Sequence, residues 1–402
     1  MRNIFYLVTL QVVGLFSACT TVSEKSSLPA IDVVSGIESV QPLNVADLAS
    51  TVKYIPLETN DSCLVGEAPC VRKFNDKLLV ASQGQPLLMF DAKTGKFLKK
   101  VGAVGKGNGE YLIGRFFAIC WTDSKEQYIY VKSDTGQVLK YDAEGNFVGY
   151  QEAYDGIDNK SSLQLLVGDD CYFYTDKMVD DKVYEITKFN TASSMKEFSI
   201  SENADSIDMS SIRGVTVYSL YGRIPSSPTA IMLQLADDRM AFTYKEDPCL
   251  WKLGNEVYFK HRSNDTIYQV KDRALQPRYY FNLGDYHIAY EGRILSEKLV
   301  NGIFINYVLE NPKAIFFTFK RKKNGKLDAN DYWGVFDKQT QSLKISDEAL
   351  LHDTKNAYVV QELHSVANDG TVVGLVSAEK LMEVDADLKI KEDDNPVVVL
   401  IN

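Results

Sequence analysis

Apolar residues along this chain come in short runs, many alternating with polar ones, separated by clusters of Gly, Asp, Asn and Ser. The stretch LLMFDAKTGKFLKKV (87–101) reads as a strand, a glycine-bearing turn and a second strand. VLKYDAEGNFVGYQ (138–151) repeats the unit, ITKFNTASSMKEF (186–198) is a weaker copy, and YWGVFDKQTQSLK (332–344) is a fourth. Each sets an aromatic residue before Asp or Asn at the strand end: Phe90-Asp91, Tyr141-Asp142, Phe189-Asn190 and Phe336-Asp337. The first three lie 51 and 48 residues apart. A period near 50 with four strands per unit predicts an all-β propeller of four-stranded blades.

One unit shows its full strand order: GRFFAICWTD, QYIYVKSD, QVLKYD and NFVGYQ, over 114–151. The first of these is apolar along much of its length, as an inner strand packed on both faces requires. The chain then crosses from the outer strand of one blade to the inner strand of the next. A further hairpin, TIYQVKDRALQPRYYFNLG (266–284), comes late, which implies an insertion at about 200–235. TVKYIPLETNDSCLVGEAPCVRKF (51–74) has the outer-strand, crossover, inner-strand order but nothing before it to complete a blade. The missing three strands are expected from YVVQELHSVANDGTVVGLV (358–376) and NPVVVLIN (395–402). An N-terminal strand then completes the last blade, and the outer strands count six blades over residues 46–402. SAEKLMEVDA (377–386) reads as helical instead.

The crossover GAVGKGNGEYLIG (102–114) invites a phosphate-loop reading. Gly105-Lys106 is followed by Gly107 rather than Ser or Thr, and the segment leads into RFFAICW, a strand pattern. A phosphate loop needs a helix N-terminus behind it. The glycines are expected to serve the crossover's backbone. Asp91 and Asp142 likewise read as turn residues, since neither belongs to the acidic series of a calcium loop.

The start of the chain has a different character. Arg2 precedes an apolar run from Ile4 to Phe16, which meets Ser17-Ala18-Cys19. This order describes a lipoprotein signal peptide over 1–18, with lipid on Cys19 and a tether over 19–45. An ordinary secretory signal is the alternative. Either way the protein is expected to be exported; in the lipoprotein reading Cys19 is its anchor to the bilayer of the cell envelope.

Net charge of −10 opposes a surface that tracks phosphates, so nucleic acid is not an expected partner. Beyond Cys19 the cysteines are Cys63, Cys70, Cys120, Cys171 and Cys249, too scattered for a disulfide framework. Cys63 and Cys70 are close enough in sequence to pair, but buried free thiols are the plainer expectation. His261, His287, His352 and His364 lack zinc-motif spacing, so neither a metal nor another cofactor is expected.

The strings YIPLET (54–59), G-x-G-x-G-E-Y (105–111), SNDTIYQV (263–270) and DDNPVVVL (393–400) resemble those of six-bladed β-propeller lipoproteins of Bacteroidetes, a family similar to NHL-type propellers. Asn108 stands where that family more often has proline. The resemblance implies the fold and the envelope address; it implies no activity.

In a propeller, crossovers and the loops between second and third strands surround one mouth of the channel. Those loops carry Lys106, Glu110, Tyr111, Arg115, Asp134, Lys177, Asp181, His261, Arg262, Asp265, Lys322 and Lys323. Tyr111, Arg115, Glu110, His261, Arg262 and Asp265 are the ligand-binding candidates, because mixed charge with tyrosine suits a polar ligand such as a glycan or peptide. The same residue types also serve as solvated loop surface. Two function classes follow: a non-catalytic binding or scaffolding module, and an envelope hydrolase or lyase on the same face. Acids scattered over loops without a nucleophile motif favour binding.

Overall fold

The computed structural model describes residues 28–402, except 114–118, 124, 134, 136, 152–161, 168–169, 177–181, 191–192, 202–208, 220–228, 238–239, 246–249, 262–263, 273, 289–299, 357 and 383–389. The protein is all-β and built of many small sheets. Six of them contain a run of four antiparallel strands. The first comprises Cys70–Phe74, Lys77–Ala81, Leu87–Asp91 and Phe97–Val101. The second comprises Ile119–Thr122, Tyr128–Lys132, Val138–Asp142 and Phe147–Tyr150. The third holds Ser162–Val167, Asp170–Asp176, Lys182–Asn190 and Ser193–Ser201. The fourth holds Leu250–Leu253, Glu256–Phe259, Thr266–Lys271 and Ala274–Asn282. The fifth runs Gly302–Glu310, Ala314–Lys323, Tyr332–Asp337 and Leu343–Ser346.

The sixth sheet joins the two ends of the chain. Its strands are Glu362–Val366, Val372–Val376, Val397–Ile401 and, on the outside, Val52–Pro56. The N-terminal strand runs antiparallel to the C-terminal one, with Val52 opposite Ile401 and Pro56 opposite Val397. The C-terminal strand is VVVLI, buried at every position, as a strand with neighbours on both edges and both faces must be.

Among the described residues, four pairs of neighbouring sheets share a core. One cluster packs Val71, Leu78, Val80 and Leu88 of the first sheet against Ile55, Val373, Leu375, Val398 and Leu400 of the sixth. A second joins the first sheet to Ile129, Val131, Leu139 and Tyr141 of the second. Others join the fourth sheet to the fifth and the fifth to the sixth. Leading strands also meet: that of the sixth sheet touches those of the first and the fifth, and that of the third touches those of the second and the fourth.

Between the third and fourth sheets stands a three-stranded sheet, Ile212–Ser219, Thr229–Leu235 and Met240–Lys245. The expected insertion at about 200–235 falls on this region, whose last strand extends beyond it. The helix expected near 377–386 is Ala378–Met382.

The tether expected over 19–45 gives way to folded chain well before its end. Ala30–Asp32 pairs in parallel with the outer strand of the fourth sheet, Ala30 opposite Tyr280. A short helix, Val33–Ile37, follows; then Leu43–Asn44 pairs with Leu351–Asp353 and leads into the helix Val45–Leu48. Ile31, Val33 and Leu43 are wholly buried. These apolar residues are spaced through a Ser- and Pro-bearing stretch, which is why the segment reads as linker although it has enough apolar surface to dock.

The repeated aspartates are turn residues. Asp91 Oδ1 accepts from the backbone N–H groups of Lys93 (3.0 Å) and Thr94 (2.7 Å). Asp142 does the same for Glu144 and Asn146, and Asp337 for Gln339 and Thr340. Gly95, at φ +70°, closes the first of these turns against the carbonyl of Pro56 with no room for a side chain.

Candidate functional site

The glycine-rich crossover binds its own carboxylate. Gly107 N–H donates to Glu110 Oε2 at 2.7 Å, and the same carboxylate lies over the space that a Cβ on Gly105 would need. A loop whose exposed amide is already met by an internal anion does not present it to a phosphate, which agrees with the crossover reading. Gly102, at φ +68°, passes directly beneath the rings of Tyr141 and Tyr111. Glu110 thus organises the loop rather than projecting freely to a ligand.

Tyr111 is a correction of greater consequence. Its side chain is buried, not displayed. The hydroxyl donates to Val101 O and accepts from Leu87 N–H, both at 2.8 Å. The ring packs edge-on against Tyr141, whose own hydroxyl donates to Gly109 O at 2.9 Å. An aromatic with a polar tip is suited to ligand contact and to tying a crossover down; packing assigns Tyr111 to the second role.

This crossover and two others are fastened to the loop between second and third strands of a sheet. Gly66 N–H donates to Ser82 Oγ and to Gln85 Oε1 in the first sheet, and Leu112 N–H to Ser133 Oγ in the second. In the fourth sheet Asp265 bonds His287 Nδ1, just beyond the outer strand, and its backbone carbonyl accepts from Phe281 N–H at 2.7 Å. Asp265 therefore joins loop to crossover. His261 is buried, and its carbonyl accepts from Lys260 Nζ (3.2 Å) and from Asn264 N–H (3.0 Å). Its burial removes it from the exposed ligand set. Lys106 and Asn108 are exposed on the first crossover. Lys322 and Lys323 end a strand, and Asn324-Gly325 makes a tight turn with φ of +52° and +77°. Arg115, Arg262, Asp134, Lys177, Asp181 and the Cys19 anchor lie outside the described residues.

A constellation that the motif search does not join appears where the leading strands of the first and sixth sheets meet. Glu362 and His364, two apart on one strand, project together, and Glu362 Oε2 lies 3.0 Å from His364 Nε2. His364 occupies a β-bulge: Leu363 faces Gly374 and Ser365 faces Val373, leaving the residue between them unpaired. Two other leading strands bulge at a polar residue, Gln164 in the third sheet and Asn306 in the fifth. The His364 side chain is wholly buried, and its Nδ1 makes no hydrogen bond of regular geometry. The group interacting with the ring besides Glu362 is the thiol of Cys70, the first residue of the neighbouring leading strand.

Ser365 Oγ, donating to Val71 O at 3.0 Å, and the Lys73–Asp369 ion pair at 2.7 Å hold the two strands together. Both Cys63 and Cys70 are free thiols; Cys63 is buried and its Sγ donates to Glu58 O at 3.1 Å. Burial alone would push the Cys70 thiol up, but the His364 ring and the Arg72 charge outweigh it, so its net shift is downward. Burial would lower His364, whereas Cys70 and Glu362 raise it further, to about 9. Among the described residues no group of three His, Cys, Asp or Glu side chains has the arrangement of a metal site. Sequence spacing gives one faint signal for the constellation, the Glu-x-His alternation on a strand; its cysteine is nearly 300 residues away.

Residues 28–402 match the family described as a domain of unknown function, DUF4934, and the chain belongs to that family. No curated protein matches it. Among solved structures, it is similar to a Bacteroides fragilis NCTC 9343 protein described as a "putative exported protein", with a TM-score of 0.59 and 17% identity over 90% of this chain and 97% of that one. At that identity the likeness concerns the fold. Structures of U3-55K (TM-score 0.40, 12% identity) and of the RRP9 WD40 repeats (0.38, 11%) each align with 90% of this chain and with 100% and 99% of their own. Neither is similar enough in shape to bear on function.

Proposed function

Starting from that family membership, we propose that the chain is a six-bladed β-propeller of the cell envelope, lipid-anchored through Cys19, that binds a polar ligand or a protein partner at the mouth of its channel without transforming it. The six four-strand sheets are its blades. The contacts between leading strands, and the sixth sheet shared by both chain ends, support the ring. A similar fold in a protein described as exported accords with the signal-peptide pattern at residues 1–18.

One observation carries the binding reading: crossovers of three sheets are fastened to the loops beside them by Tyr111, Ser82, Gln85, Ser133 and Asp265. Loops held this way lose little entropy when a ligand docks, so a preformed face favours recognition. The ligand class is a glycan or a peptide, bound by the charge of the crossovers and the loops beside them, with Arg115 and Arg262 as the principal contacts.

Two measurements test this. Fatty-acid metabolic labelling should mark the wild type and not Cys19→Ala; equal labelling removes the anchor. Glycan and peptide arrays probed with the protein should yield a ligand whose affinity falls in Arg262→Ala while the melting temperature holds. A variant that loses stability and keeps affinity moves the site elsewhere.

A further inference from the structure

Beyond binding, the junction of the first and sixth sheets holds a group of a different kind. We propose that Cys70 is a nucleophilic thiolate, with His364 as its charge partner and Glu362 as the residue that orients His364, and that it takes up low-molecular-weight disulfides by exchange. Glu362 holds Nε2, and the ring sits at a bulge on a strand that Ser365 Oγ ties to Val71 O at 3.0 Å, one residue from Cys70 on the neighbouring strand. A nucleophile, an adjacent base and a third group that orients the base form the general arrangement of an activated thiol. The unfilled Nδ1 of a fully buried histidine is the second observation. Such a nitrogen costs stability in an apolar wall unless a partner such as a thiolate compensates it.

The charged groups that act on the thiol are His364 and Glu362 from the sixth sheet and Arg72 from its own strand. Two of the three are cationic once His364 carries its proton. In the exchange step the Cys70 thiolate attacks one sulfur of R–S–S–R. The Cys70–S–S–R bond forms as the original S–S bond breaks, and the departing thiolate accepts a proton from solvent or from the imidazolium. No net oxidation occurs. Cys63 is engaged with the Glu58 carbonyl and is not poised to resolve the product, so the mixed disulfide persists until an external thiol releases it.

The test uses the full-length protein and 4,4′-dithiodipyridine, with modification of the Cys70 peptide followed by mass spectrometry from pH 5 to pH 9. The wild-type rate should inflect below the ordinary thiol value of about 8.5. Each unit of depression raises the thiolate population at pH 6 about tenfold while its intrinsic nucleophilicity falls about threefold. The wild type should therefore react faster than His364→Gln at pH 6, by about threefold for each unit of depression, with Glu362→Gln between them. If His364→Gln does not fold, the wild-type profile still decides, together with a 240 nm thiolate absorbance that disappears on acidification and is absent in Cys70→Ser. An inflection at or above the ordinary value, equal rates in wild type and His364→Gln, or modification only after denaturation would each overturn the proposal. None of these outcomes bears on whether the crossover face binds a glycan or peptide.

Discussion

Asn395 donates from Nδ2 to the carbonyl oxygen of Glu58 at 2.6 Å, across 337 residues of sequence. Its Nδ2 also reaches Cys63 O, its Oδ1 accepts from Val65 N–H, and its backbone N–H donates to Thr59 Oγ1. Glu58 in turn accepts from Phe97 N–H through Oε2, and its own N–H donates to Gly95 O. The YIPLET and DDNP strings thus meet in space, with the first repeat's turn beside them.

Asn395 is buried, so Asn395→Ala leaves the Cys63 carbonyl and the Val65 N–H without partners and the Glu58 carbonyl with only the Cys63 thiol. At about 1 kcal/mol or more for each group, a loss of roughly 2–4 kcal/mol is expected. Chemical denaturation monitored by circular dichroism measures it. A loss under about 0.5 kcal/mol would show that water replaces the asparagine.

Deleting residues 395–402 removes this knot and the strand Val397–Ile401. Five buried aliphatic side chains at about 1.5–3 kcal/mol each approach the entire stability of a domain. The truncated protein should lose its cooperative melting transition, with its N-terminal strand left unpaired. Melting like that of the full-length protein would refute the shared sixth sheet.

Tyr111→Phe keeps the ring and deletes one hydroxyl that serves both Val101 O and Leu87 N–H. The expected cost is about 1–3 kcal/mol in stability with no change in ligand affinity. The opposite pattern, lost affinity at constant stability, would return Tyr111 to the binding set.

The turn aspartates give the protein an acid sensitivity of known sign. Backbone and side-chain donors hold Asp91, Asp142 and Asp337 below the ordinary carboxylate value, with hydrogen bonding to Thr94 the foremost cause at Asp91 and backbone bonding to Thr340 at Asp337; at Asp142 bonds to Asn146 outweigh a contrary effect of burial. A depressed folded value means that the stabilisation is complete above about pH 4 and is lost as pH falls through the folded values. Replacing all three by Asn should flatten the stability profile below pH 4 while leaving the neutral-pH fold intact. An unchanged acid limb in urea titrations would assign the sensitivity to other carboxylates.

The local features of this protein were legible in its sequence because their causes are local. Period-two alternation sets which strand faces are apolar, and Asp91, Asp142 and Asp337 close turns within a few residues of themselves. Even the pairing of Val52–Pro56 with Val397–Ile401 followed from counting strands, since one outer strand lacked a sheet and one sheet lacked an outer strand. Side-chain duty was not legible. Tyr111, Glu110, His261 and Asp265 belong to loops where function concentrates, yet burial and hydrogen bonding commit them to fastening those loops. The docking of Ile31, Val33 and Leu43 was equally hidden, because their partners lie more than 200 residues away. Cys70 and His364 are the extreme case. They lie far apart along the chain, and only the packing of one leading strand on another places a thiol beside an imidazole.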